Sequence, residues 1–182
     1  MAVRPSLAYL IRRVRSNISD IAGSDEVFAD EEIQEYLDNR RRDIFEMPLL
    51  TSPDRKNFYS EVGGWWEDNV ELTTSGSEII TDSTTPAVIE SNLITGQWKL
   101  DGPLSSLRLS GVQYDINGCS ADLLDSWLAR IKLEFDFLEL GSTFKASQQA
   151  LAVEQAVKRY RARQWVFTSH FRSTDYAAGW YQ

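Results

Sequence analysis

The chain has 182 residues, 42% of them apolar and 25% charged, with a net charge of −8. That is long enough to bury a core without disulfides or metal; one cysteine and one histidine exclude an intrachain disulfide and argue against zinc sites of His/Cys type and against nucleophile pairs not built on His170. No apolar run approaches the roughly 20 residues of a bilayer span, the first residues lack the apolar core of a secretory signal, and the acidic balance opposes sequence-independent wrapping of DNA.

The first predicted element is a helix from Pro5 to Gly23. Leu7, Leu10, Ile11, Val14, Ile18 and Ile21 recur on one narrow face at about 100° per residue. Arg12, Arg13 and Arg15 fall off that face and read as solvated surface. The second helix opens at Asp30, a capping side chain followed by Glu31 and Glu32. Ile33, Tyr36, Leu37 and Ile44 line its face, Arg40, Arg41 and Arg42 complement its C-terminal dipole or meet phosphate or a subunit, and Pro48 and Pro53 end it.

From Phe58 to Val112 the composition shifts. This stretch holds six of the ten glycines, many β-branched residues, and eight acidic against two basic side chains. Short strands are predicted near 57–62, 69–74, 77–81, 87–90, 93–100 and 107–112, with Trp65, Trp66 and Trp98 as the apolar mass beneath them. The segment reads as a β-rich insertion.

A third helix is predicted over 117–138. Ala121, Leu124, Trp127, Leu128, Ile131, Phe135 and Leu138 share one face. Leu133, Phe137 and Leu140 form a second, and a helix apolar on two faces buries both, in the domain's own core or against another subunit; a subunit interface is the assignment for these three. After Gly141-Ser142-Thr143 the fourth helix runs over 146–167, with Ala146, Ala150, Val153, Val157 and Tyr160 on one stripe. The last 18 residues hold six aromatics with no helical or alternating period. Such a tail folds back or docks on a partner, and aromatics with arginine are the anchors of interfaces. Charge is uneven as well: residues 1–139 carry 13 basic against 25 acidic side chains, whereas 140–182 carry 6 against 2.

Motifs for phosphate loops, dinucleotide turns, nucleophile elbows and helical zinc sites are absent. Glu67, Asp68, Glu71 and Glu78 are candidates to meet in an acidic hairpin, for which solvated surface or a weak cation site is the simpler reading. Cys119 stands at the start of the third helix, where the dipole favours thiolate, but with no motif around it a packed core residue is the simpler assignment. His170, beside Phe171 and Arg172, reads as a contact residue. The expected fold is mainly α: a four-helix bundle with a β-rich insertion between the second and third helices and an extended C-terminal arm. The organisation is one domain made of 1–56, 57–113, 114–167 and an arm over 168–182.

The order of these segments, with Phe28-Ala29-Asp30-Glu31-Glu32-Ile33, Tyr114-Asp115 through Ala121-Asp122-Leu123-Leu124, and the Phe135-Asp136-Phe137 stretch followed by Ser147-Gln148-Gln149, resembles the head–tail connector adaptor proteins of long-tailed bacteriophages. The likeness covers residues 7 to about 165. It implies a structural virion protein at the head–tail neck, assembled in the host cytoplasm, neither an enzyme nor the holder of a cofactor, with no membrane partner. Twelve copies would form a ring against the portal protein and present a surface to the next neck or tail protein. DNA would pass through the channel without specific binding. The C-terminal portal contact of that family maps onto Arg161, Arg163, Trp165, Phe167, Phe171, Arg172, Tyr176, Trp180 and Tyr181. The rivals are a head-closure or tail-completion protein of the same neck, richer in β structure, a DNA-binding regulator using the Arg-rich N-terminal helices, and a hydrolase using the acidic insertion.

Overall fold

The computed structural model describes residues 2–20, 27–74, 86–137 and 143–165, with side chains described except over 133–137 and 143–148. A 3-10 turn at Pro5–Leu7, with proline in its first positions, leads into helix α1 (Ala8–Ile18). Leu7, Leu10, Ile11, Val14 and Ile18 are all buried, as their spacing predicts. The helix ends earlier than Gly23, at Ser19, whose left-handed φ of 59° turns its N–H back to the Arg15 carbonyl.

Arg15 departs from expectation. It is only 4% exposed. Its guanidinium donates to Asp20 at 2.6 Å, to Asp30 at 2.7 Å and to the Phe28 carbonyl at 2.8 Å. Its position between Val14 and Ile18 puts it at the margin of the buried face. Two carboxylates and a carbonyl there meet the desolvation that a lone buried charge would suffer.

Helix α2 spans Asp30–Asp38. Ala29 rather than Asp30 is its cap, and Asp30, Glu31 and Glu32 form an acidic first turn. The expected continuation through Arg42 and Ile44 is incorrect. The chain leaves the helix and forms strand β1 (Arg41–Pro48). Six more strands follow: β2 (Leu50–Thr51), β3 (Asn57–Tyr59), β4 (Glu71–Thr73), β5 (Val88–Asn92), β6 (Gln97–Leu100) and β7 (Arg108–Tyr114). They form two antiparallel sheets, one of order β1-β7-β4 and one of order β2-β3-β6-β5. In the first, Arg41 lies opposite Tyr114 and Ile44 opposite Gly111. A bulge then interrupts β1 between Ile44 and Met47, where Glu46 takes a φ of 46°. The helix-favouring Arg and Glu residues of this stretch yield to a partner strand more than 60 residues downstream, an instance of tertiary pairing overriding local preference.

The expected strands near 57–62, 69–74, 87–90, 93–100 and 107–112 each overlap an observed one, with β5 running on to Asn92, β7 running on to Tyr114, and Leu93 to Gly96 a turn rather than strand. The stretch 77–81 lies outside the described residues. Helices α3 (Ile116–Phe137) and α4 (Thr143–Arg161) complete the described elements.

Two apolar cores result. One unites α1, α2, α3 and α4 through Leu10, Val14, Ile33, Leu37, Leu124, Val153 and Val157. The other lies among the strands and holds Ile44, Leu49, Phe58, Trp66, Trp98, Leu100, Leu107 and Leu109. Trp66 meets Trp98 edge to face, with centroids 6.3 Å apart. Trp65 does not join them. Its φ of 66° turns it toward the helical core, under the Arg13 guanidinium at 5.4 Å. Over the described residues the protein is therefore mixed α/β, with two sheets and a core of their own, and the expected mainly α four-helix bundle is corrected by these seven strands. The arm expected over 168–182 lies outside the described residues.

Candidate functional site

The sequence points to the C-terminal segment, and the described part of it is its root. Helix α4 packs along α3 through Val153, Val157 and Tyr160, the stripe read from the sequence. The Tyr160 hydroxyl donates to the Asn17 carbonyl at 2.7 Å, which ties the end of α4 to the end of α1. Past the last turn, the chain crosses the N-terminal end of α3.

That end of α3 is organised by three carboxylates. Asp115 is the capping residue. Its Oδ1 accepts the Gly118 N–H at 2.9 Å, and its Oδ2 accepts the Trp165 N–H at 2.9 Å. Asp122 takes Arg40 at 2.6 and 3.0 Å and Arg161 at 2.8 Å. Asp125 takes Arg161 at 2.7 Å. The hydrogen bond to Asp125, with the field of Asp122, outweighs the opposing effect of burial and holds the Arg161 guanidinium still more firmly protonated than usual. Arg40 is held the same way, first by its hydrogen bond to Asp122. Asn117 donates through Nδ2 to the Arg163 carbonyl at 3.3 Å.

Of the nine residues assigned to portal contact, three are described. Arg161 is committed to Asp122 and Asp125 of its own chain, Arg163 is exposed, and Trp165 is half-buried. Phe167, Phe171, Arg172, Tyr176, Trp180 and Tyr181 lie outside the described residues. So does Leu140. Leu133 and Phe137 fall within α3, with side chains outside the description.

The acidic hairpin does not form as a cluster around Glu67. That carboxylate is buried at 3% exposure. It accepts the Tyr114 hydroxyl at 2.7 Å and the Ser6 hydroxyl at 2.5 Å, and it lies 3.6 Å from the Arg4 guanidinium, which also pairs with Asp38 at 2.5 Å. Burial first, then the bond to Glu67, pushes the Tyr114 hydroxyl well above its ordinary pKa. Tyr9 donates to the Trp66 carbonyl and is pushed up in the same direction by burial and by the charges of Asp68 and Glu67. This network joins the first residues of the chain to both sheet and helices. Glu78 lies outside the described residues. Among the described residues no group of three or more His, Cys, Asp or Glu side chains is placed to hold a metal ion.

Cys119 is a fully buried member of the helical core, as its lack of a motif suggests. Burial raises its thiol pKa, reinforced by the charges of Asp122 and Asp115 and opposed by that of Arg40. No helix among the described residues is long and apolar enough to cross a membrane.

Sequence reasoning missed Asp115, Asp122 and Asp125 as partners of the C-terminal segment. Asp115 carried a visible signal, an aspartate directly before a helical period, but no signal within the sequence pairs it with an amide 50 residues away. No protein-family model, curated protein or solved structure matches the chain.

Proposed function

We propose that the protein is a structural component of a bacteriophage head–tail neck, a ring-forming adaptor seated between the portal and the next neck or tail protein. The observation that carries the reading is the C-terminal segment. It leaves a helix whose end is fixed against α3 and α1, and its sequence beyond Trp165 supplies the aromatic and arginine anchors of a docking peptide. The segment order and the motifs around Asp30 and Asp115 support the same family. The acidic body suits a channel through which DNA slides, because like charge repels phosphate. No catalytic group enters the mechanism. The work is positional: portal-facing anchors at one end, heterologous contacts between copies closing a ring, and a surface for the following component.

The two antiparallel sheets favour a second reading, a head-closure or tail-completion protein of the same neck. The two readings differ in the partner. Mixing the purified chain with the portal of its own particle and imaging the product tests this directly. The adaptor reading expects a twelvefold ring on the portal, lost when Phe171 to Gln182 are removed from an otherwise folded protein. Binding that survives this truncation, or binding to a preassembled neck but not to the bare portal, sets the adaptor reading aside.

A further inference from the structure

The end of α4 is followed by two backbone groups that the first turn of α3 holds in succession. The Arg163 carbonyl accepts from Asn117, and the Trp165 N–H donates to Asp115. The helix itself needs only one oxygen of Asp115, the one that caps Gly118. The other oxygen is spent on the exit of the chain. Gly118 is what leaves room for it. A Cβ at that position would sit 2.5 Å from Asp115 Oδ2, the oxygen that takes the Trp165 N–H, and 3.4 Å from Arg40 Cδ. A short distance along α3, Asp122 bridges Arg161 of α4 to Arg40 at the α2–β1 junction, and the Asp115 N–H donates to the Arg40 carbonyl at 3.1 Å. Three joints of the chain thus meet at one helix end: α2 to β1, β7 to α3, and α4 to its C-terminal continuation.

We propose that Asp115 and Gly118 form a latch that fixes the position and direction of the chain at Trp165, where the C-terminal segment begins. Asp115 is a positioning residue with two separable duties, capping α3 with one oxygen and holding Trp165 with the other. The latch pre-orders the first residues of the segment, which reduces the ordering that docking must supply. That benefit rests on the docking role proposed above, whereas the latch is tested on the free protein, so the two ideas fail separately.

Limited trypsin digestion of the full chain, followed by mass spectrometry, reads the latch at two neighbouring bonds. Cleavage after Arg163 requires Trp165 to leave Asp115. Cleavage after Arg161 requires the pairs with Asp122 and Asp125 to break as well, and serves as the internal reference. Asp115→Ser keeps a capping oxygen and has none left for Trp165. It is expected to speed cleavage after Arg163 by about tenfold, the population change of losing one hydrogen bond to a charged group, with cleavage after Arg161 unchanged. Gly118→Ala displaces the carboxylate while placing a better helix former in the first turn. It is expected to speed the same cut without lowering the thermal midpoint, and it answers the question should Asp115→Ser fold poorly. Equal rates in the wild type and Gly118→Ala, or an equal rise at both bonds, would overturn the latch.

Discussion

The helical and strand regions solve the burial problem in opposite ways. The helical core closes on itself. Its margins are sealed by Arg15 with Asp20 and Asp30, by Arg130 with Glu32 at 2.5 Å, and by Tyr160 with the Asn17 carbonyl. The strand region buries one compact set around Trp66 and Trp98 yet shows apolar side chains outward. Phe45 is 81% exposed, and Leu50, Val88, Ile89 and Ile94 are exposed as well, whereas Leu151 is the large exposed apolar residue described on a helix. The difference teaches that side-chain pattern decides closure. A helix of period 3.6 can gather its apolar residues on one stripe. Strands of two to eight residues, two of them interrupted by register shifts, distribute them to both faces.

The largest expected effect comes from breaking the strand core. Trp66→Ala removes a fully buried indole that packs on Trp98 and donates to the Gly63 carbonyl at 2.9 Å. It is expected to cost about 4 kcal/mol in urea denaturation. Tyr114, Glu67 and Tyr9 link the two cores, so the loss should appear as one earlier transition. Two separated transitions would show that the cores fold independently.

On the helical side, Asp20→Ala strips Arg15 of its closest carboxylate and of the acceptor for the Val27 N–H at 2.8 Å. A buried pair broken from one side is expected to lose about 3 kcal/mol, measured in the same way. A loss under about 0.5 kcal/mol, the size of an ordinary surface change, would mean that Asp30 and the Phe28 carbonyl suffice.

The seam between the cores has a pH signature. Tyr114 and Tyr9 hold their protons more tightly in the fold than in the unfolded chain. Their contribution is therefore complete below the unfolded value of about 10 and is lost as pH climbs from there through the folded-state values. Tyr114→Phe should flatten the alkaline fall in stability while costing about 1–2 kcal/mol at neutral pH, because Glu67 loses a donor. A parallel fall for both proteins would place the alkaline sensitivity elsewhere.

The smallest effect is the most diagnostic of the outward-facing strands. Phe45→Ser is expected to change stability by less than about 0.5 kcal/mol, since the ring is mostly in solvent. A loss several times larger would show that the bulge at Glu46 packs Phe45 against the body.

Much of the helical region was legible because its signal is local. The faces of α1, α3 and α4 repeat within a few residues, and Val14, Leu124 and Val157 lie where their spacing puts them. Strand β1 was not legible. Arg40 to Glu46 has helix-favouring residues and follows a real helix, and only the distant β7 makes it a strand. Arg15 failed for a related reason, since its three partners lie on the chain after the helix. At the C-terminal root, the basic and aromatic composition was visible, but not that Arg161 is spent within its own chain or that Trp165 is fastened to Asp115.

The neighbouring Trp65 and Trp66 carry a consequence for how this chain can change over generations. Consecutive indoles belong to different cores because Trp65 is itself left-handed, and the Trp66 backbone N–H is fastened to the Leu93 carbonyl while Gly64 leaves no room for a Cβ beside the Ile94 carbonyl. Adding or deleting one residue there would swing an indole out of its socket. Insertions of any length are accommodated far more cheaply in surface connections, so lineages of this protein should keep a constant residue count from Gly63 to Glu67 while drifting in length elsewhere.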